Sequence, residues 1–205
     1  MSQSSLADDL DYLRELASSG ARAPLLGGRF LAWWGGVITI AYSCHYAVLK
    51  GALAAKPEAI NLIWLAAIGI GLAGYFALVR LMPDKPGHGS AGNRVMVAVW
   101  SAAGFAIFAF FVGLVLSQFV SPGALHPNAS LPLVFAVYAL GLITTGTLGG
   151  DRLLSGAGLA ALVFVALTGA FQAHAELYLI GAAGVALTVF LPGLALLRRE
   201  PASVV

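Results

Sequence analysis

The residues best able to do chemistry in this chain are His45, His126, His174 and Glu176. Imidazole nitrogens and carboxylate oxygens are the ligands that zinc and copper take, usually three or four together. His174 and Glu176 are two residues apart, so on a helix they diverge, and only in an extended loop do they converge. The plainer role for each group, a hydrogen bond to water, a carbonyl or a lipid headgroup, is preferred to a metal site. A haem would need histidines on facing spans, and only His45 stands inside one. No cofactor is expected. The single cysteine, Cys44, excludes an intrachain disulfide and a cysteine-built centre. The sequence has no phosphate-binding glycine loop, no His-Glu-x-x-His and no Gly-x-Ser-x-Gly.

Two further constellations are polar rather than catalytic. Gly35, Thr39, Tyr42, Ser43 and Tyr46 recur at helical spacing, with His45 beside Tyr42. Such a stripe lines a small cavity or, more ordinarily, packs between helices. Further on, Thr144, Thr145 and Thr147 sit among glycines at the end of one apolar run, and Pro192 precedes Gly193 near the end of another. Proline removes a helical hydrogen bond, and threonine hydroxyls can satisfy freed carbonyls. Two weakened helices at one depth would make a gate. The simpler account is that glycine and proline are common in membrane helices.

The elements that position these residues follow from composition. Of 205 residues 60% are hydrophobic and only 10% charged, with mean hydropathy +0.89. A soluble domain averages about 25% charged residues, so a bilayer must take up the excess apolar surface. Between Arg29 and Lys50 run 20 residues without Asp, Glu, Lys or Arg, enough at about 1.5 Å per residue to cross a hydrocarbon core of about 30 Å. Trp33 and Trp34 at one end and Tyr46 at the other read as interfacial anchors. Ala52-Leu53-Ala54 resembles a cleavage triplet. The apolar run before it is too long for a signal peptide and follows a net acidic start, so the span is expected to be retained.

Five more runs follow, giving spans of about 30–49, 60–79, 95–118, 131–148, 153–171 and 177–197. The expected fold is all-α: a polytopic integral membrane protein with six transmembrane helices in residues 29–199 and a short tail, 200–205. The short connection at Asp151 and Arg152 predicts antiparallel neighbours. With the N-terminus in the cytoplasm, cytoplasmic segments hold nine Lys and Arg and outer segments two, Lys50 and Lys56. That positive-inside bias places both termini in the cytoplasm, and the short loops fit a bacterial inner membrane. Gly27-Gly28-Arg29, Gly92-Asn93-Arg94 and Gly150-Asp151-Arg152 open the three outward-running helices. This suggests a triplicated hairpin, although basic residues belong there in any case.

Residues 1–28 form the only sizeable soluble part. Leu6, Leu10 and Leu13 make an apolar stripe, and Asp8, Asp11 and Glu15 line another face. The segment has four acids against two arginines, the wrong sign for an anionic lipid surface. Its stripe is therefore expected to meet protein, its own bundle or a second copy before a separate partner, with a disordered segment as the remaining alternative. No span interior holds Asp, Glu, Lys or Arg, so proton pumping and voltage sensing lack their usual groups. Net charge is +2, with no basic cluster for nucleic acid. Three functions are expected, in this order. The first is a non-enzymatic accessory, assembly or signalling membrane protein that binds a partner through its N-terminal helix. The second is a small-solute transporter or channel using the polar stripe. The third is a metal or redox enzyme built on the outer histidines.

Overall fold

The computed structural model describes residues 24–81 and 87–200. The expected N-terminal helix, with Leu6, Leu10, Leu13, Asp8, Asp11 and Glu15, lies outside the described residues, as do 82–86 and the tail 201–205. Among the described residues all regular structure is helical: α1 (Gly28–Leu49), α2 (Ala59–Leu81), α3 (Ala91–Val120), α4 (Ser130–Leu148), α5 (Arg152–Ala170), α6 (Glu176–Val185) and α7 (Leu191–Arg199). A 3-10 turn, Pro127–Ala129, leads into α4, and a π-helical turn, Ala186–Phe190, joins α6 to α7 as one rod.

Five of these units are long and apolar enough to cross a membrane: α2, α3, α4 with its 3-10 turn, α5 and the α6–α7 rod. The chain is an all-α polytopic membrane protein. The 22-residue α1 has spanning length but is more polar than the other five, because Trp33, Trp34, Tyr42, Ser43, His45 and Tyr46 interrupt its apolar run.

The helices neighbour one another in chain order. α1 packs on α2, α3 on α4, α4 on α5, α5 on α6, and the α6–α7 rod closes back on α1. The α4–α5 contact is the most extensive. The short turn between them forces antiparallel adjacency, and small residues let the backbones meet. A Cβ on Gly146 would lie 2.5 Å from the Ser155 nitrogen, and one on Gly158 2.8 Å from the Ile143 nitrogen. At the centre, Phe135, Leu142, Leu154, Leu177 and Val185 are fully buried. The pair that fails to pack extensively is α2 with α3. Only 11% of the apolar stretch of each is buried, against 44% for α4 and 50% for the rod. The ring therefore has a seam.

α1 holds the rod through close backbone approach. A Cβ on Gly35 would come within 2.7 Å of the Phe190 backbone, and one on Gly193 within 2.5 Å of the Ala32 nitrogen. Without a hydrophobic force between helices in lipid, such dispersion contacts must hold them. The π turn sits just ahead of Pro192. Proline offers no N–H and its ring crowds the carbonyl four residues back. The Leu191 N–H instead reaches the Ala186 carbonyl, five residues back.

Trp33 and Trp34, read from the sequence as interfacial anchors, also serve helix packing. Their rings fill the notches left by Gly74 and Gly71 of α2, and the Trp33 Nε1–H donates to the Gly71 carbonyl at 3.0 Å. Gly69 of α2, by contrast, faces open space.

Candidate functional site

The two ends of the bundle are chemically distinct. At the basic end, Asn93 is 5% exposed and ties three segments together. Its Oδ1 accepts the Leu26 N–H at 2.8 Å, and its Nδ2 donates toward the carbonyls of Pro24 (3.0 Å) and Gly87 (2.9 Å). Leu25 is thereby seated in the core, against Gly149. Nearby the Gly28 N–H donates to the Glu200 carboxylate at 2.9 Å, which sets a negative charge at the N-terminus of α1. Asp151 caps α5 through the Leu154 N–H (3.0 Å) and pairs with Arg199 at 3.6 Å. The three Gly-x-Arg motifs thus open their helices in three ways: a backbone donor at Gly28, an amide knot at Asn93 and a carboxylate cap at Asp151.

The opposite end carries an aromatic cluster. The sequence stripe divides there. Tyr42 and His45 are buried, at 4% and 7% exposure, and Tyr46 is half-buried. Thr39 keeps its Oγ1 buried without a hydrogen-bond partner among the described residues. Ser43 does not turn inward: it is exposed and bonds back to the Thr39 carbonyl at 2.8 Å. The inward face follows 28, 31, 35, 42 and 45, a narrower seam than the expected stripe, because the close contact with the rod sets it. His45 stacks on Tyr178 of α6 with centroids 3.5 Å apart, and Tyr42 meets Trp64 of α2 edge-on at 4.9 Å. The Trp64 Nε1–H donates to His45 Nδ1 at 3.1 Å. Nδ1 is then the acceptor, so the neutral ring carries its proton on Nε2. From Tyr178 a hydroxyl donates to Asn128 Oδ1 (2.6 Å), and the Asn128 amide donates to the Gln172 carbonyl.

Several of these groups line a cleft of about 400 Å³ to which both α2 and α3 also contribute. Asn61, Phe111 and His126 stand at its sides. The cleft was not legible in the sequence, because its walls come from five helices and a loop. Trp64, Tyr178, Asn61 and Asn128 gave no periodic signal that would have marked them.

The metal candidates do not assemble. Among the described residues no three His, Cys, Asp or Glu side chains lie close enough to share an ion. Glu176 is paired with Lys50, His174 packs near Phe171 at 5.8 Å, and His45 is held by Trp64. Only His45 and His126 share the cleft. The Lys50 ammonium is exposed, and its hydrogen bond to Glu176 raises its pKa above the ordinary lysine value.

The gate candidates are not brought together either. Thr144 is half-buried, Thr147 is exposed, and buried Thr145 donates back to the Gly141 carbonyl at 2.7 Å within an intact helix. Pro192 is buried in α7, whose main neighbour is α1, while α4 packs on α5 and α3. Where α4 does meet the rod, it does so at the other end, Leu131 and Phe135 lying against Gly181 and Gly184. No protein-family model, curated protein or solved structure matches the chain.

Proposed function

We propose that this chain is a non-enzymatic integral membrane protein of the accessory, assembly or signalling type, with six spans in a bacterial inner membrane. In this reading the basic end and both termini face the cytoplasm, and the segment before residue 24 engages a protein partner, or a second copy, through Leu6, Leu10 and Leu13. The supporting observation is the Asn93 knot. It bolts residues 24–26 to the bundle, so the point where the preceding segment attaches lies on the basic face. Nine Lys and Arg on that side against two on the other support the orientation.

Photo-crosslinking from position 10 in native membranes tests the proposal. A discrete adduct that disappears in Leu6→Asp/Leu13→Asp is expected. A bundle lacking residues 1–20 that keeps every partner and all cellular function would overturn it. A second reading, small-solute transport, draws on the cleft. Flux in proteoliposomes that ignores Tyr42→Phe would remove that reading.

A further inference from the structure

We infer that the α2–α3 cleft binds the head of an uncharged, lipid-soluble ring compound carrying carbonyl oxygens, the chemistry of a quinone. This goes beyond the partner-binding role and does not depend on it.

The cleft's lining decides the class. None of its residues is Asp, Glu, Lys or Arg, so neither an anionic headgroup nor a metal ion finds a counter-charge. A quaternary ammonium would need open ring faces around it. Here the rings close on one another instead, His45 stacked on Tyr178 at 3.5 Å and Trp64 edge-on to Tyr42 at 4.9 Å. What the wall offers is ring edges and hydrogen-bond donors. His45 Nε2 is a fixed donor, because the Trp64 indole occupies Nδ1. The Tyr42 side chain is only 4% exposed and lines the cleft, and its hydroxyl makes no hydrogen bond among the described residues. A carbonyl oxygen in the cleft answers both groups. At the rim, the Asn61 amide is likewise without a side-chain partner among the described residues, which suits a second carbonyl across the ring.

Size and access agree. About 400 Å³ lies in the range of small-molecule sites. The lining includes Asn61 and Trp64 of α2 and Phe111 and Leu114 of α3, two helices whose apolar faces are almost bare, so an apolar tail leaving between them meets the bilayer.

The test uses the full chain in nanodiscs of neutral phospholipid, titrated with a short-tailed benzoquinone by equilibrium dialysis. Saturable one-to-one binding is expected. Tyr42→Phe should weaken it roughly five- to ten-fold, the worth of one hydrogen bond, and Ser43→Ala should leave it unchanged. The corresponding hydroquinone should bind more weakly, because a phenolic oxygen is a poorer acceptor than a quinone carbonyl for the donor on His45. An azido-benzoquinone should label peptides holding Trp64 or Tyr178. Should Tyr42→Phe fold poorly, Asn61→Leu at the exposed rim replaces it, with the same direction expected. Non-saturable partition, equal affinity in the variants, or labelling spread over the outer faces of α2 and α3 would overturn the proposal. So would displacement by short-chain phosphatidylcholine as effective as by the quinone, which would make the site one for phospholipid.

Discussion

The indole of Trp64 donates to Nδ1 of His45 across the α1–α2 interface at 3.1 Å. This single bond joins a weakly held outer helix to the polar centre of the ring and fixes which imidazole nitrogen carries the proton. Trp64→Phe keeps an aromatic ring against Tyr42 but removes the donor. We expect the loss of about 1 kcal/mol of stability and a His45 free to take either tautomer. Nitrogen NMR of histidine-labelled protein reads this directly. A spectrum unchanged by the substitution would show that the bond does not set the tautomer.

Gly35 and Gly69 should respond in opposite ways to the same change. A methyl group at Gly35 would come within 2.7 Å of the Phe190 backbone, whereas at Gly69 nothing lies within 4 Å. Gly35→Ala is expected to cost about 1–3 kcal/mol by overpacking. Gly69→Ala should be neutral or gain up to about 1 kcal/mol of helix propensity. Unfolding of both variants in mixed micelles decides between them, and equal midpoints would count against the close approach of α1 to the π turn of the rod.

Asn93→Ala leaves the Leu26 N–H and the Pro24 and Gly87 carbonyls without their partner. Unmatched buried groups cost about 1–3 kcal/mol each, but water at the membrane surface will recover part of that. The expected outcome is local. Hydrogen exchange should rise sharply at Leu25 and Leu26 while α4 and α5 stay protected. Uniform loss of protection would mean that the knot supports the whole bundle instead.

Asp151 has two partners of unequal worth. Its cap on α5 is a direct hydrogen bond, while Arg199, 3.6 Å away, is 61% exposed. Asp151→Ala should lower stability by about 1 kcal/mol. Asp151→Asn, which keeps a capping oxygen, should cost much less, and Arg199→Ala should be close to neutral because exposed ion pairs contribute little. An Arg199 effect as large as that of Asp151→Ala would show the ion pair to be the stronger tie.

The Lys50–Glu176 pair at the opposite end gives a pH signature. The hydrogen bond to Glu176 raises the Lys50 pKa in the folded state. Its contribution is therefore fully present below the ordinary lysine value of 10.5 and fades as pH climbs through the raised value. The thermal midpoints of the parent chain and Lys50→Gln should differ by a constant amount from neutrality into the mildly alkaline range, then converge in stronger alkali. High salt should shrink the gap at every pH. A gap that widens with rising pH would contradict the pairing.

The sequence by itself determined the class and the close α4–α5 hairpin, and it placed the long helices closely, though five rather than six of them meet the length and apolarity of a span. Each follows from a property of the local chain: an apolar run of spanning length, charges that mark its ends, a connection too short for anything but an antiparallel neighbour. It also singled out His45 and Tyr42, because polar groups inside an apolar run stand out wherever they point. What it could not determine is which face of each helix meets which neighbour. Glycine and tryptophan are compatible with lipid, with an interface or with the membrane surface, and only the partner backbone decides. Trp33 and Trp34 went into notches at Gly74 and Gly71, Ser43 turned outward, and Gly69 faced open space. The seam between α2 and α3 is a property of the closed ring and of no single segment. The cleft takes its lining from five helices and a loop, and its donors matter because Trp64, distant in the chain, fixes the proton on His45.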